Sequence, residues 1–119
     1  MNTETLASAI VGHLVGDYLL QNDWMAQNKR KNVFPLAVHC VIWTACVMNF
    51  SGWSPNTVAY LVLVLTHMAQ DGTGFIKFWM TRINCQPVFA LPPLAPWSII
   101  VVDNVWHILT IWIVWRFIV

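Results

Sequence analysis

The chain has 119 residues, enough for one small domain. Hydrophobic residues make up 58% of it and charged residues only 9%, far below the quarter charged of ordinary soluble chains, which argues against a water-soluble globule. A net charge of +1 leaves no electrostatic case for nucleic acid as a partner.

The first apolar segment is predicted over about residues 6–24. The start, Met1-Asn2-Thr3-Glu4, has no basic stretch and no small-residue cleavage site before the apolar run, so this helix is expected to be retained rather than removed as a signal peptide. His13, Asp17 and Gln21 recur at four-residue spacing and so share one stripe of a helix. Gly12 and Gly16 form a small-x-x-x-small face that lets another helix approach closely. Residues 22–32 read as a polar connection carrying Lys29, Arg30 and Lys31.

A second segment, about 34–50, opens with Pro35 near its first turn and contains His39. Ser51-Gly52-Trp53-Ser54-Pro55 reads as a tight turn, with Ser54 as a candidate cap for the next helix. The third segment, about 56–80, holds Thr66-His67-x-x-x-Asp71, again a histidine and an aspartate one turn apart. Four prolines between 82 and 96 exclude a helix there; the apolar run Val88-Phe89-Ala90-Leu91 suggests an interfacial loop. The fourth segment, 97–119, carries Asp103 and His107.

Four apolar segments with short connections imply an all-α, integral-membrane, four-helix up-down-up-down bundle, with residues 1–119 as one transmembrane domain. The lipid bilayer is then the first partner, and a homo-oligomer is compatible with the pattern. Eight tryptophans suit a chain with two membrane–water interfaces; Trp24, Trp53, Trp79 and Trp97 fall near the expected span ends, while Trp43, Trp106, Trp112 and Trp115 are expected to pack or to face lipid. The first and third connections hold Lys29, Arg30, Lys31, Lys77 and Arg82, and the second holds no basic residue. By the positive-inside rule this places a multi-pass protein in a bacterial inner membrane with both termini outside. The three cysteines form no C-x-x-C pair and are expected to be free.

Counting from the inner end of each segment puts Asp17, His39, Asp71 and Asp103 roughly 9–10 Å deep, and His13, His67 and His107 roughly 15–16 Å deep. The expectation is therefore two polar layers inside the bundle. Three carboxylates in hydrocarbon need protonation, a cationic partner or a metal, and no lysine or arginine is expected at their depth. Imidazole plus carboxylate is the ligand set of divalent ions, zinc first, with iron or manganese as alternatives. His13, Asp17, His39, His67, Asp71, Asp103 and His107 are thus candidate metal ligands. His39, with no carboxylate at four-residue spacing, is as readily structural. A metal-free network of His–Asp hydrogen bonds is the competing explanation.

The run His13-Leu14-Val15-Gly16-Asp17-Tyr18-Leu19-Leu20-Gln21-Asn22-Asp23-Trp24-Met25-Ala26, followed by His39, Thr66-His67-x-x-x-Asp71 and Val102-Asp103-Asn104-x-x-His107, resembles a family of small bacterial and phage membrane proteins of unknown function. The resemblance covers nearly the whole chain and implies that these histidines and aspartates form the family's motif. More distantly the chain is similar to small bacterial inner-membrane proteins described as metal-dependent hydrolases, which also carry histidines and aspartates within helices. Gly72-Thr73-Gly74 departs from the more basic, aromatic sequence expected at that point.

Three functions fit these residues. One is a membrane-embedded metal-dependent hydrolase acting on a lipid or lipid-linked substrate, with Asp71 or Asp103 accepting a proton. Another is a proton- or ion-conducting oligomer. The third is an interaction factor of the envelope, for instance of a phage acting on its host, whose polar core only fixes helix register. The absence of an obvious basic phosphate clamp in the sequence counts against the first.

Overall fold

A computed structural model describes residues 2–119, and among them every regular element is helical. Helix α1 spans Thr3–Leu14 and runs on into a π-helical turn, Val15–Leu19. Asn2 caps its start by accepting a hydrogen bond from the Glu4 backbone N–H. The predicted first segment therefore ends about one turn early. After a break at Leu20–Gln21, Asn22 accepts from Met25 N at 3.0 Å and starts a separate short helix, α2, Asp23–Asn28. The predicted polar connection is thus partly helical. Met25, 5% exposed, anchors it against the bundle.

Helix α3, Val33–Ser51, is capped by Asn32 and ends at Gly52, whose φ of 65° is the left-handed conformation that glycine adopts without strain. Its buried residues Leu36, His39, Cys40, Trp43, Val47 and Ser51 recur every three or four positions and make one stripe. Helix α4 spans Thr57–Gly72. Its cap is Asn56, which accepts from Ala59 N at 3.0 Å, rather than the predicted Ser54. Instead of continuing to residue 80, the chain becomes extended at Thr73. It resumes as helix α5, Phe75–Phe78, and a π-helical turn, Trp79–Ile83. Helix α6 spans Trp97–Phe117.

In space α1 packs on α3, α3 on α4, α4 on α6, and α6 back on α1, closing a ring of four. The α1–α3 contact is close because of its glycines. A Cβ on Gly12 would lie 2.6 Å from the Cys46 carbonyl oxygen, and one on Gly16 would lie 2.9 Å from Trp43 Cδ1. Side-chain hydrogen bonds join the other helices: Gln70 Nε2 to Thr110 Oγ1 at 2.9 Å, and Trp115 Nε1 to Thr5 Oγ1 at 3.1 Å. An apolar core of Ala9, Trp43, Val47, Trp53, Ala59, Leu63, Ile111 and Val114 fills the ring on one side of the histidines. Trp53 belongs to this core and is 9% exposed, so it is not among the interfacial tryptophans expected at span ends. All three cysteines are free. Two helices, α3 and α6, are long and apolar enough to cross a membrane.

Candidate metal centre

All four histidines are buried inside the ring: His13 on α1, His39 on α3, His67 on α4 and His107 on α6. Asp17 joins them from the π-helical turn after α1. Such a turn adds a residue to the helical repeat and re-aims its side chains, and it recurs at functional sites. Asp71 comes from the last turn of α4, and Asp103 from α6, one turn before His107.

Four side-chain atoms converge: Asp17 Oδ1, His39 Nε2, His67 Nε2 and Asp71 Oδ2. His39 lies 2.9 Å from His67, 3.0 Å from Asp71 and 3.3 Å from Asp17, all measured from Nε2. His67 Nε2 is 3.4 Å from Asp71 and 3.6 Å from Asp17. Tetrahedral zinc with bonds of about 2.0–2.1 Å has ligand–ligand edges of about 3.3 Å, the middle of this range. A second group, Asp71, Asp103 and His107, shares Asp71 with the first. The two oxygens of Asp71 divide the work: Oδ2 faces His39 and His67, while Oδ1 lies 3.3 Å from His107 Nε2.

The hydrogen-bond inventory leaves room for a cation here. His107 Nδ1 is 2.7 Å from the Asp103 carbonyl oxygen, which can only accept, so the ring proton sits on Nδ1. In the neutral ring the lone pair of Nε2 then points at a carboxylate oxygen, a repulsive contact that either a second ring proton or a cation between the two relieves. Among the described residues Asp17 Oδ1, His67 Nδ1 and His107 Nε2 have no hydrogen-bond partner. Buried polar atoms are rarely left this way, and two of the three face the points on which the groups converge. The residues present therefore fit a metal ion.

Of the seven predicted ligands, six fall into these two groups and His13 into neither. Trp43 Nε1, a donor only, lies 3.0 Å from His13 Nδ1, and His13 Nε2 lies 2.9 Å from Asn104 Oδ1. Both ring nitrogens are thus engaged, and the 3.2 Å approach of Asp17 Oδ2 to Nδ1 is proximity alone. The predicted layers do not survive either. Asp17, His39 and Asp71 of the lower layer join His67 of the upper, because one helical turn, about 5.4 Å, is within a side chain's reach. Gln21 meets Lys29 Nζ at 2.8 Å, not the histidines.

Two residues were missed. Lys29, expected on the polar connection and outside the site, places Nζ 2.6 Å from Asp71 Oδ2. The turn after α2, which packs against α3, brings it there, and the four-carbon stem supplies the reach. Trp43 stacks on His67, with centroids 4.0 Å apart at 17°. Its position four residues after His39 on one helix face was the available signal.

The fold and site define a class, all-helical proteins with a buried His/Asp cluster able to hold a metal ion. The chain belongs to the family described as "Protein of unknown function (DUF3307)", which it matches over residues 5–119. No curated protein and no solved structure matches it.

Proposed function

We propose that this protein is a metal-dependent hydrolase embedded in a bacterial inner membrane as an up-down-up-down four-helix bundle, acting on a lipid or lipid-linked substrate. Support for the membrane comes from an inside-out distribution. The four histidines are at most 1% exposed, while Leu61, Leu65, Val101 and Val105 on the outer faces of α4 and α6 are each more than half exposed. Lys29, Arg30 and Lys77, from the first and third connections, line one cavity, in keeping with both connections lying on the cytoplasmic side and the termini outside.

The observation that carries the hydrolase reading is the convergence of Asp17 Oδ1, His39 Nε2, His67 Nε2 and Asp71 Oδ2 at tetrahedral spacing, beside a second group that shares Asp71. Three carboxylates against the one ammonium of Lys29 leave two negative charges, which one divalent ion balances. Asp17, His39 and His67 would hold that ion with Asp71; His107 and Asp103 would hold a second through the other Asp71 oxygen. Zinc suits this ligand set best, with iron or manganese next. When bound, such an ion supplies Lewis acidity and lowers the pKa of a coordinated water. Asp103, whose side chain is 28% exposed against 12% for Asp17 and 5% for Asp71, faces the cavity and accepts the proton of the attacking water. Asp71 orients the histidines on both sides of it.

Elemental analysis of protein purified in mild detergent tests this. The expected result is one to two equivalents of a transition metal, lost in Asp71→Asn. Less than about half an equivalent in the wild type overturns the reading.

One observation favours a second function. Asp17, His39, Asp71, His107 and Asp103 form an unbroken chain of contacts of 3.0–3.4 Å, which offers a path for protons. Proton flux into liposomes that disappears in Asp71→Asn, from protein without metal, would establish that role instead.

A further inference from the structure

The site opens into a cavity of about 320 Å³ with Asp71 and Asp103 on its wall. Lys29, Arg30 and Lys77 also line it. They come from separate places in the chain, Lys29 and Arg30 from the end of α2 and Lys77 from α5. The Arg30 guanidinium reaches across the mouth, its Nη2 3.7 Å from the Cβ position of Gly74. Among the described residues neither Arg30 nor Lys77 makes an ion pair, while Lys29 is held by Asp71. Two uncommitted cations thus stand at the entrance to a buried carboxylate cluster. Ile99 and Ile100 supply an apolar wall to the same cavity.

We propose that Arg30 and Lys77, with Lys29 behind them, bind a phosphate group, so that the substrate is a phosphate ester. This rests on the hydrolase reading and deepens it. The cations at the mouth offer charge-assisted hydrogen bonds to phosphate oxygens, Arg30 as a planar fork and Lys77 as a point charge. The isoleucines suit the first carbons of an acyl or prenyl chain. A phosphate at the mouth faces the metal-ligating groups, and its negative charge offsets that of a second divalent ion. In the hydrolysis, the water oxygen bonds to phosphorus and the P–O bond to the alcohol breaks. The proton taken by Asp103 leaves with the alcohol. Binding of phosphate by this rim also answers the sequence-based objection that no basic clamp stands near the site, since the three residues converge only in the folded chain.

The test uses the full-length protein in phosphatidylcholine nanodiscs, titrated separately with short-chain phosphatidic acid and with inorganic phosphate. The double variant Arg30→Gln/Lys77→Gln is expected to bind phosphatidic acid at least about tenfold more weakly. Lys31→Gln, a neighbouring cation that does not line the cavity, should bind as the wild type does. Arg30→Lys/Lys77→Arg, which keeps the charge but exchanges fork and point charge, should bind more weakly than the wild type and more tightly than the double glutamine variant. Tighter binding of the lipid than of inorganic phosphate identifies a lipid headgroup as the source; equal binding identifies free phosphate, and the rim stands in both cases. Unchanged affinity in the double glutamine variant, or an equal loss in Lys31→Gln, overturns the proposal. The metal content of the same samples reports separately on the hydrolase reading. Rim-dependent binding by metal-free protein sinks that reading and spares the rim, and metal-loaded protein with rim-independent binding does the reverse.

Discussion

At the scale of single residues, Asp71 is the one on which the site turns. Its two oxygens serve two groups, and Lys29 Nζ lies 2.6 Å from the oxygen that also faces His39 and His67. An ammonium and a divalent cation would compete for that oxygen. Lys29→Met is therefore expected to tighten zinc binding by about tenfold or more, since like charges about 4 Å apart repel by several kcal/mol outside bulk water. Competition with a chromogenic chelator measures this, and unchanged affinity would show that the ammonium does not occupy the cation's place. Trp43 carries a different expectation. Trp43→Phe keeps a ring stacked near His67 but removes the N–H given to His13 Nδ1. The unpaired buried acceptor should cost about 1–3 kcal/mol in detergent unfolding with metal content unchanged; a loss of metal would bring Trp43 and His13 into the site itself.

At the scale of elements, the α1–α3 contact holds Asp17 against His39. Gly12→Val places a branched side chain where a single Cβ already meets the Cys46 carbonyl oxygen at 2.6 Å. The backbone of one helix must move, at a cost of about 1–3 kcal/mol. Thermal unfolding should show the loss, and metal affinity should fall too because the helices carrying Asp17 and His39 separate. Gly52→Ala, at the left-handed end of α3 with open space around it, should cost only about 1 kcal/mol and leave metal binding intact. The elements also show where local sequence was enough. The small-residue face of α1 was legible from its spacing, whereas the caps at Asn2, Asn22, Asn32 and Asn56, which act through bonds to the next two or three residues, were not read from it, Ser54 standing in the expectation where Asn56 caps α4. The break at Thr73 falls where Gly72 and Gly74 were expected to loosen or kink the third segment; the folding of α2 was not anticipated. The latter is a six-residue helix held in place by Met25 packing elsewhere, which no local pattern announces.

At the scale of the whole molecule, a cation held by Asp17 after α1 and by residues of α3, α4 and α6 would join all four helices of the ring. Metal binding and folding would then be one equilibrium. Free zinc at about a hundred times its dissociation constant should raise stability by about 2.7 kcal/mol over chelated protein. Unfolding in detergent with and without a chelator checks this; identical melting curves would show that no ion links the helices. The sequence by itself determined the apolar character of the chain, its helical class, and the pairing of histidine with aspartate one turn apart on three helices. These are properties of composition and of the helical repeat, and both are local. Only the tertiary structure decided that His13 turns to Trp43 and Asn104 rather than to the cluster. Only it decided that Asp71 lies between two groups, and that Lys29, Arg30 and Lys77 meet at one mouth. The repeat fixes which face of a helix a residue occupies, but how far helices slide and rotate against one another is set by packing between distant segments, and a shift of one turn there exchanges one set of partners for another.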